Sequence, residues 1–137
     1  MRAPIQAVLL LLVASLPREA RTSPASVVLS GSVLGSSGKH PVYVALWDAA
    51  SFLRKPVRSL KIVPGSPTSF SFAIEPGRWA LSAYEDMNEN GILDMGIFGP
   101  KEPNGFWRAF TRRRRPTFDD VGVLVTTDTP GADIRLK

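Results

Sequence analysis

From Val27 to Leu136 apolar side chains return at every second position, and Gly or Pro closes nearly every run. That period belongs to a pleated strand, whose successive side chains leave opposite faces. Val27, Leu29, Gly31 and Val33 make the first run. Val42, Val44 and Leu46 make the second, and because Tyr43, Ala45 and Trp47 are apolar as well, this strand is expected to be central and buried on both faces. Val57 to Val63 and Phe70 to Ile74 read as a hairpin joined through Pro64, Gly65, Ser66 and Pro67, and Ala49 to Lys55 could form one helical turn. Trp79, Leu81 and Ala83 follow the Pro76-Gly77 turn; Val121 to Val125 and Ile134 to Leu136 complete the series. No helical stripe is long enough for a βαβ unit. The pattern predicts an all-β domain, an antiparallel β-sandwich of about seven strands with one long functional loop.

The N-terminus carries a different signal. Arg2 is followed by an uncharged stretch from Ile5 to Leu16, with Val8, Leu9, Leu10, Leu11, Leu12 and Val13 at its centre. The run is shorter than the ~20 residues a bilayer requires and stops at Pro17, Arg18 and Glu19, so it reads as a secretory signal peptide over residues 1–25, cut between 20 and 26, and not as a transmembrane segment. The expected destination is periplasmic or secreted, and residues 26–137 form the β domain. Export permits disulfides, yet the chain has no cysteine. Stability must then come from packing and backbone pairing, and the lack of disulfides leaves room for a bound ion to contribute. Removing Arg2, Arg18, Arg21 and Glu19 takes Lys+Arg from 17 to 14 and Asp+Glu from 12 to 11, a net of +3, so the mature domain is only mildly basic.

Between Glu85 and Phe118 the strand pattern lapses for longer than a plain connection needs. This stretch opens with D-x-N-x-N-G-x-x-D: Asp86, Asn88, Asn90, Gly91 and Asp94. Oxygen side chains at the first, third, fifth and ninth positions of a tightly turned loop suit calcium, which takes 6–8 oxygens, and the carbonyl of Ile92 would fill the seventh position. Hard oxygen donors without His or Cys argue against zinc, copper or iron. The twelfth position is Ile97 where a helix-loop-helix hand has glutamate, and Glu102, Glu89 or water is expected to supply a further oxygen. Two carboxylates and two amides predict a modest affinity, roughly 10⁻⁴ to 10⁻³ M. The competing reading is a polar turn without metal, since Asn, Asp and Gly dominate turns on their own account.

At these residues the chain resembles a family of exported bacterial proteins, domain of unknown function 2141. The resemblance is carried by Gly77-Arg78-Trp79-Ala80, Glu85-Asp86-Met87-Asn88-Glu89-Asn90-Gly91-Ile92-Leu93-Asp94, Phe98-Gly99-Pro100-Lys101-Glu102-Pro103 and Gly105-Phe106. The family reads G-x-Y-A, H-D-x-N-x-N-G-x-L-D, G-x-P-x-E and G-F-S-N in that order. It implies a sandwich of transthyretin or immunoglobulin type, no established activity, and a calcium loop. This chain departs from it in having Glu85 for histidine, one residue fewer between Gly99 and Pro100, and Trp107-Arg108 for Ser-Asn. Glu85 could add a carboxylate to the loop.

Arg112, Arg113, Arg114 and Arg115 form a basic run beside Phe106, Trp107 and Phe110. In an exported protein its partners would be anionic lipid headgroups or an acidic cell-surface polymer, and nucleic acid is not expected; a solvated loop, partly neutralised by Asp119 and Asp120, is the plain alternative. No catalytic residues are assigned. His40 is the single histidine, before Pro41 at a strand start, and no Ser-His-Asp or Cys-His set can be assembled. Glu85, Asp86, Glu89, Asp94 and Glu102 could together supply an acid-base pair for a small carboxylate-dependent hydrolase, but the intervening asparagines suit an ion better than proton transfer. The leading reading is therefore a non-enzymatic, calcium-stabilised binding or accessory module of the cell envelope; the alternatives are a metal-free structural domain and, behind it, that hydrolase.

Overall fold

The computed structural model describes residues 25–137, so residues 1–24, which carry the expected signal peptide, lie outside the described residues. The seven runs read from the sequence all appear as strands: β1 (Val27–Leu34), β2 (Val42–Trp47), β3 (Arg58–Ile62), β4 (Ser69–Ile74), β5 (Gly77–Glu85), β9 (Val123–Val125) and β10 (Ile134–Arg135). Three further short strands, β6 (Met95–Gly96), β7 (Gly99–Pro100) and β8 (Asn104–Phe106), sit inside the expected long loop. One short helix, α1 (Phe118–Val121), precedes β9. The domain is all-β, with ten strands among the described residues where about seven were expected.

One sheet has the order β10-β1-β4, a second β3-β2-β5-β8 with β9 also paired to β5, and β6 and β7 form a separate two-stranded ribbon; the first two make the body of the fold. Their inner faces meet in one core: Leu29, Val33, Phe70, Phe72 and Ile134 from the first, Val42, Val44, Leu46, Ile62, Leu81 and Val125 from the second. Alternation explains this directly. In β4 the apolar Phe70, Phe72 and Ile74 are buried and the intervening Ser69, Ser71 and Ala73 are exposed.

Several expectations change, among them the place of Val121, which ends α1 instead of opening the strand at Val123. The proposed hairpin of β3 and β4 does not form, because β3 pairs antiparallel with β2 and β4 with β1. Both strands bury their apolar side chains in the common core, and the chain reaches it from two sheets by stepping between them at Gly65, whose φ is +83°. The sheets are also not wholly antiparallel. β10 runs parallel to β1, with Val33 opposite Ile134. That approach depends on Gly31, where a Cβ would stand 2.2 Å from the carbonyl oxygen of Ala132. The segment from Ala49 to Lys55 makes turns, with Leu53 at φ 58°, and no helix.

β2 is flanked by β3 and β5, the central place expected for it, although Tyr43 and Ala45 on its outer side are half-buried, not buried. Its outer side is covered by a second cluster of Trp47, Ala80 and Val121 with Phe52, Phe106, Phe110 and Phe118 packed against it. Trp47 satisfies its ring N–H by donating to Ser82 Oγ at 2.8 Å. β5 is the strand that positions everything functional: its first half pairs with β9, its second with β8, and the loop departs from its end.

Candidate functional site

As β5 ends, the Asp86 N–H donates to the Pro41 carbonyl at 2.8 Å, and its side chain turns inward, fully buried. The buried carboxylate accepts the backbone N–H of Gly91 at 2.7 Å on Oδ2 and that of Asn90 at 3.3 Å on Oδ1. The chain curls around it through two left-handed residues, Glu89 at φ 56° and Gly91 at φ 80°. Glycine is at ease there; Glu89 is not.

The ninth position closes the ring. Asp94 accepts the Asn88 amide at 2.6 Å on one oxygen and the Asn90 amide at 2.9 Å on the other. Those two amides, Asn90 first, hold the Asp94 carboxyl below the ordinary carboxylate range. Asn90 Oδ1 in turn accepts the Ile92 N–H at 3.1 Å. The structure thus brings Asp86, Asn88, Asn90 and Asp94 into one cycle of contacts. No contact engages the Ile92 carbonyl, and its side chain faces solvent.

Glu102 is drawn to the loop, in a role the spacing did not announce. It is buried, accepting the Met87 N–H at 2.6 Å on Oε2 and the Asp94 N–H at 3.0 Å on Oε1, so one carboxylate brackets both ends of the ring. Tyr84 adds a second tie, its hydroxyl donating to the Gly91 carbonyl at 3.1 Å while its ring stacks on Tyr43 with centroids 5.3 Å apart. Burial first, and then the charge of Asp86, pushes the Tyr84 hydroxyl up to about 12. Glu85 does not join the loop. Its buried carboxylate accepts the backbone N–H of Ser37 at 2.9 Å and the Ser37 hydroxyl. The carboxylate that could have been added to the loop is instead the anchor of the turn before β2.

The donor set fits a hard cation at Asp94, Asn88 and Asn90. A half-turn of each amide about its Cβ–Cγ bond exchanges nitrogen for oxygen, giving up the bonds their oxygens accept from the Asn90 and Ile92 N–H groups, and would leave two carbonyl oxygens and a carboxylate facing one point. Asp86 keeps unused lone pairs on both oxygens after accepting its two N–H groups. Glu102 fits less well as a ligand, since both of its oxygens already serve backbone donors. Among the described residues no group of three or more His, Cys, Asp or Glu side chains converges as metal ligands, so any site here leans on amide and backbone oxygen.

The four arginines are all exposed, but they are not equivalent. Arg114 makes a forked contact with Asp120 at 2.7 and 3.0 Å and lies 5.2 Å over the Phe110 ring. Asp120 also accepts the Thr117 N–H at 2.7 Å at the start of α1, and Arg114 with Thr117 holds its carboxyl well below the usual range. Asp119 pairs instead with Arg78 at 3.0 Å. Phe106 and Trp107, read from the sequence as surface beside the basic run, are half-buried, the first in the outer cluster and the second against the main core.

The alkaline tyrosine and the Ser37–Glu85 pair had no sequence signal, because both depend on the register that sets Tyr43 opposite Tyr84 and Val42 opposite Glu85. Glu102 had a weak one in its place within the G-x-P-x-E resemblance.

No curated protein matches the chain, and no solved structure does. A family model described as "Uncharacterized protein conserved in bacteria (DUF2141)" matches residues 36–131, well over half of the sequence and including the whole loop from Asp86 to Glu102. The chain belongs to this uncharacterised bacterial family, DUF2141.

Proposed function

We propose that this is an exported, non-enzymatic module of the cell envelope whose loop from Asp86 to Glu102 is closed and stabilised by calcium. The observation that carries the reading is the ring itself: Asp94 gathers the side chains of Asn88 and Asn90 beside a buried Asp86. Asp86, Asn88, Asn90 and Asp94 would hold the ion, with the Ile92 carbonyl and water completing its shell. The ion would supply charge neutralisation, not chemistry. Periplasmic or secreted protein meets enough calcium for a weak site of this kind to be filled.

Thermal unfolding in excess chelator, millimolar calcium and millimolar magnesium tests it. A ligand at ~100 times its dissociation constant adds ~2.7 kcal/mol to a folded state that alone binds it. Calcium should raise Tm and magnesium should raise it less, because the smaller ion demands octahedral geometry and yields its water reluctantly. Asp94→Ala should abolish most of the rise; Glu75→Ala, on the exposed turn before β5, should leave it intact. Equal melting in chelator and calcium would sink the metal reading. A second reading would then stand, that of a metal-free structural loop, favoured by Glu102, which brackets Met87 and Asp94 through backbone donors alone.

Arg112, Arg113 and Arg115 are the groups offered to an anionic polymer or lipid headgroup, since Arg114 is committed to Asp120. Replacing these three with Gln should weaken retention on an acidic polysaccharide and flatten its salt dependence, because exposed charges are screened over ~8 Å at physiological ionic strength. Unchanged retention would leave them as solvated side chains. Export is checked by the mature N-terminus, expected between Arg21 and Ser26 on protein recovered outside the cytoplasm.

A further inference from the structure

Water-facing apolar side chains are concentrated on the same excursion that carries the ring. Met87 is 45% exposed, Ile92 61%, Met95 64%, Ile97 95% and Phe98 102%. Exposure climbs along the sequence toward the turn between β6 and β7, where the chain leaves two large apolar side chains with no intramolecular packing. The turn is built: Gly96 pairs with Gly99, and Gly99 stands at φ +117°, a conformation that glycine alone adopts readily. The same excursion carries Asp86, Glu89, Asp94 and Glu102, the first and last of them buried, against the one ammonium of Lys101, whose stem runs beside Gly96.

We propose that the Ile97–Phe98 tip inserts into the interface of an anionic lipid bilayer when calcium neutralises the carboxylates at its base, a step that rests on the calcium reading above. Shape favours a bilayer over a protein face. A knob exposed on all sides gains little from a flat partner, whereas headgroups and acyl chains close around it. Its apolar character strengthens outward from a charged base, matching the polarity gradient of that interface.

Charge supplies the second argument. The excess of carboxylates on the excursion repels anionic headgroups, and a divalent ion at the ring, shared with a lipid phosphate, lowers that repulsion and bridges the two surfaces. The basic run cannot do this in its place. Arg114 is fixed to Asp120 on α1, and its neighbour Asp119 to Arg78, the second residue of β5, while the loop leaves from Glu85 at the other end. The seven-residue interval between them spans ~23 Å of strand.

The test is sedimentation of the protein with vesicles of mixed phosphatidylcholine and phosphatidylglycerol, in millimolar calcium or in chelator, with Tm measured on the same samples. Calcium-dependent pelleting is expected, and Ile97→Ser with Phe98→Ser should weaken it about tenfold or more by removing two buried apolar side chains. That double variant should keep the wild-type Tm and its calcium rise, since neither side chain packs within the fold. Pelleting that is equal in chelator, survives the double substitution, or is as strong on pure phosphatidylcholine would overturn the proposal. No pelleting while calcium still raises Tm would overturn it and leave the calcium reading standing. Loss of both responses would remove the two together.

Discussion

Glu85 and Asp86 are adjacent buried carboxylates with separate duties, one holding the turn at Ser37 and the other the curl at Gly91. Removing a donor from a buried carboxylate leaves part of its desolvation uncompensated, typically at ~1–3 kcal/mol. Ser37→Ala should accordingly lower stability to urea by about that amount without altering any calcium response; if the loss instead tracked calcium, Ser37 would belong to the loop. Asp86→Ala and Asp94→Ala should differ as well. The first leaves the backbone donors of Asn90 and Gly91 without their acceptor and should destabilise the apoprotein, while the second, on a half-buried residue, should act chiefly through calcium. Melting each variant in chelator separates them. At this scale the sequence was informative about which residues form the ring, since the spacing from Asp86 to Asp94 is itself the geometry. It was silent on Ser37, because a partner 48 positions away is chosen by strand register and not by local pattern.

Strands with a clear period of two were legible as elements; strands of two residues were not. β6 and β7 consist of Met-Gly and Gly-Pro, which carry no alternation and a residue that cannot donate to a ladder. β8 was obscured in the same way by its central glycine, which earns its place by proximity: a Cβ on Gly105 would lie 2.2 Å from the Arg135 carbonyl oxygen. Asn104 and Lys137 exchange backbone hydrogen bonds at 3.3 and 3.1 Å beside it, tying β8 to the segment that follows β10. Gly31→Ala and Gly105→Ala should each cost roughly 1–3 kcal/mol, read by urea unfolding, because the clash is with backbone that cannot swing aside. Wild-type stability in either variant would mean that the sheets slide apart more easily than the packing implies. The mistaken hairpin has a similar cause. Two short strands with a Pro-Gly connection suggest mutual pairing, but β2 and β1 each had a free edge, and the apolar faces of β3 and β4 were better used from opposite sides of one core.

For the molecule as a whole, titrating groups shifted in opposite directions bound the pH range of full stability. Asp94 and Asp120 ionise more readily folded than unfolded, so their contribution is present above the unfolded carboxylate range and disappears as pH falls through their lower folded values. Tyr84 is shifted the other way: its contribution is intact below the unfolded tyrosine value of ~10 and is lost as pH rises through about 12. Tm in chelator should therefore hold level through neutrality and fall at both extremes, with Tyr84→Phe softening the alkaline fall alone. An alkaline limb unchanged by that substitution would assign the effect to other groups. One pairing has a consequence in time. β1 begins the described fold, yet its parallel partner β10 lies 101 positions downstream, Val33 against Ile134, and β9 reaches β5 from across the whole loop. Ladders between such distant segments must close large loops before they gain anything, so folding should be slow and should wait for the last strand. A chain emerging N-terminus first from a narrow conduit could pair its earliest strand with β4 midway, but the other edge of that strand would stay open until nearly all of the chain had come through.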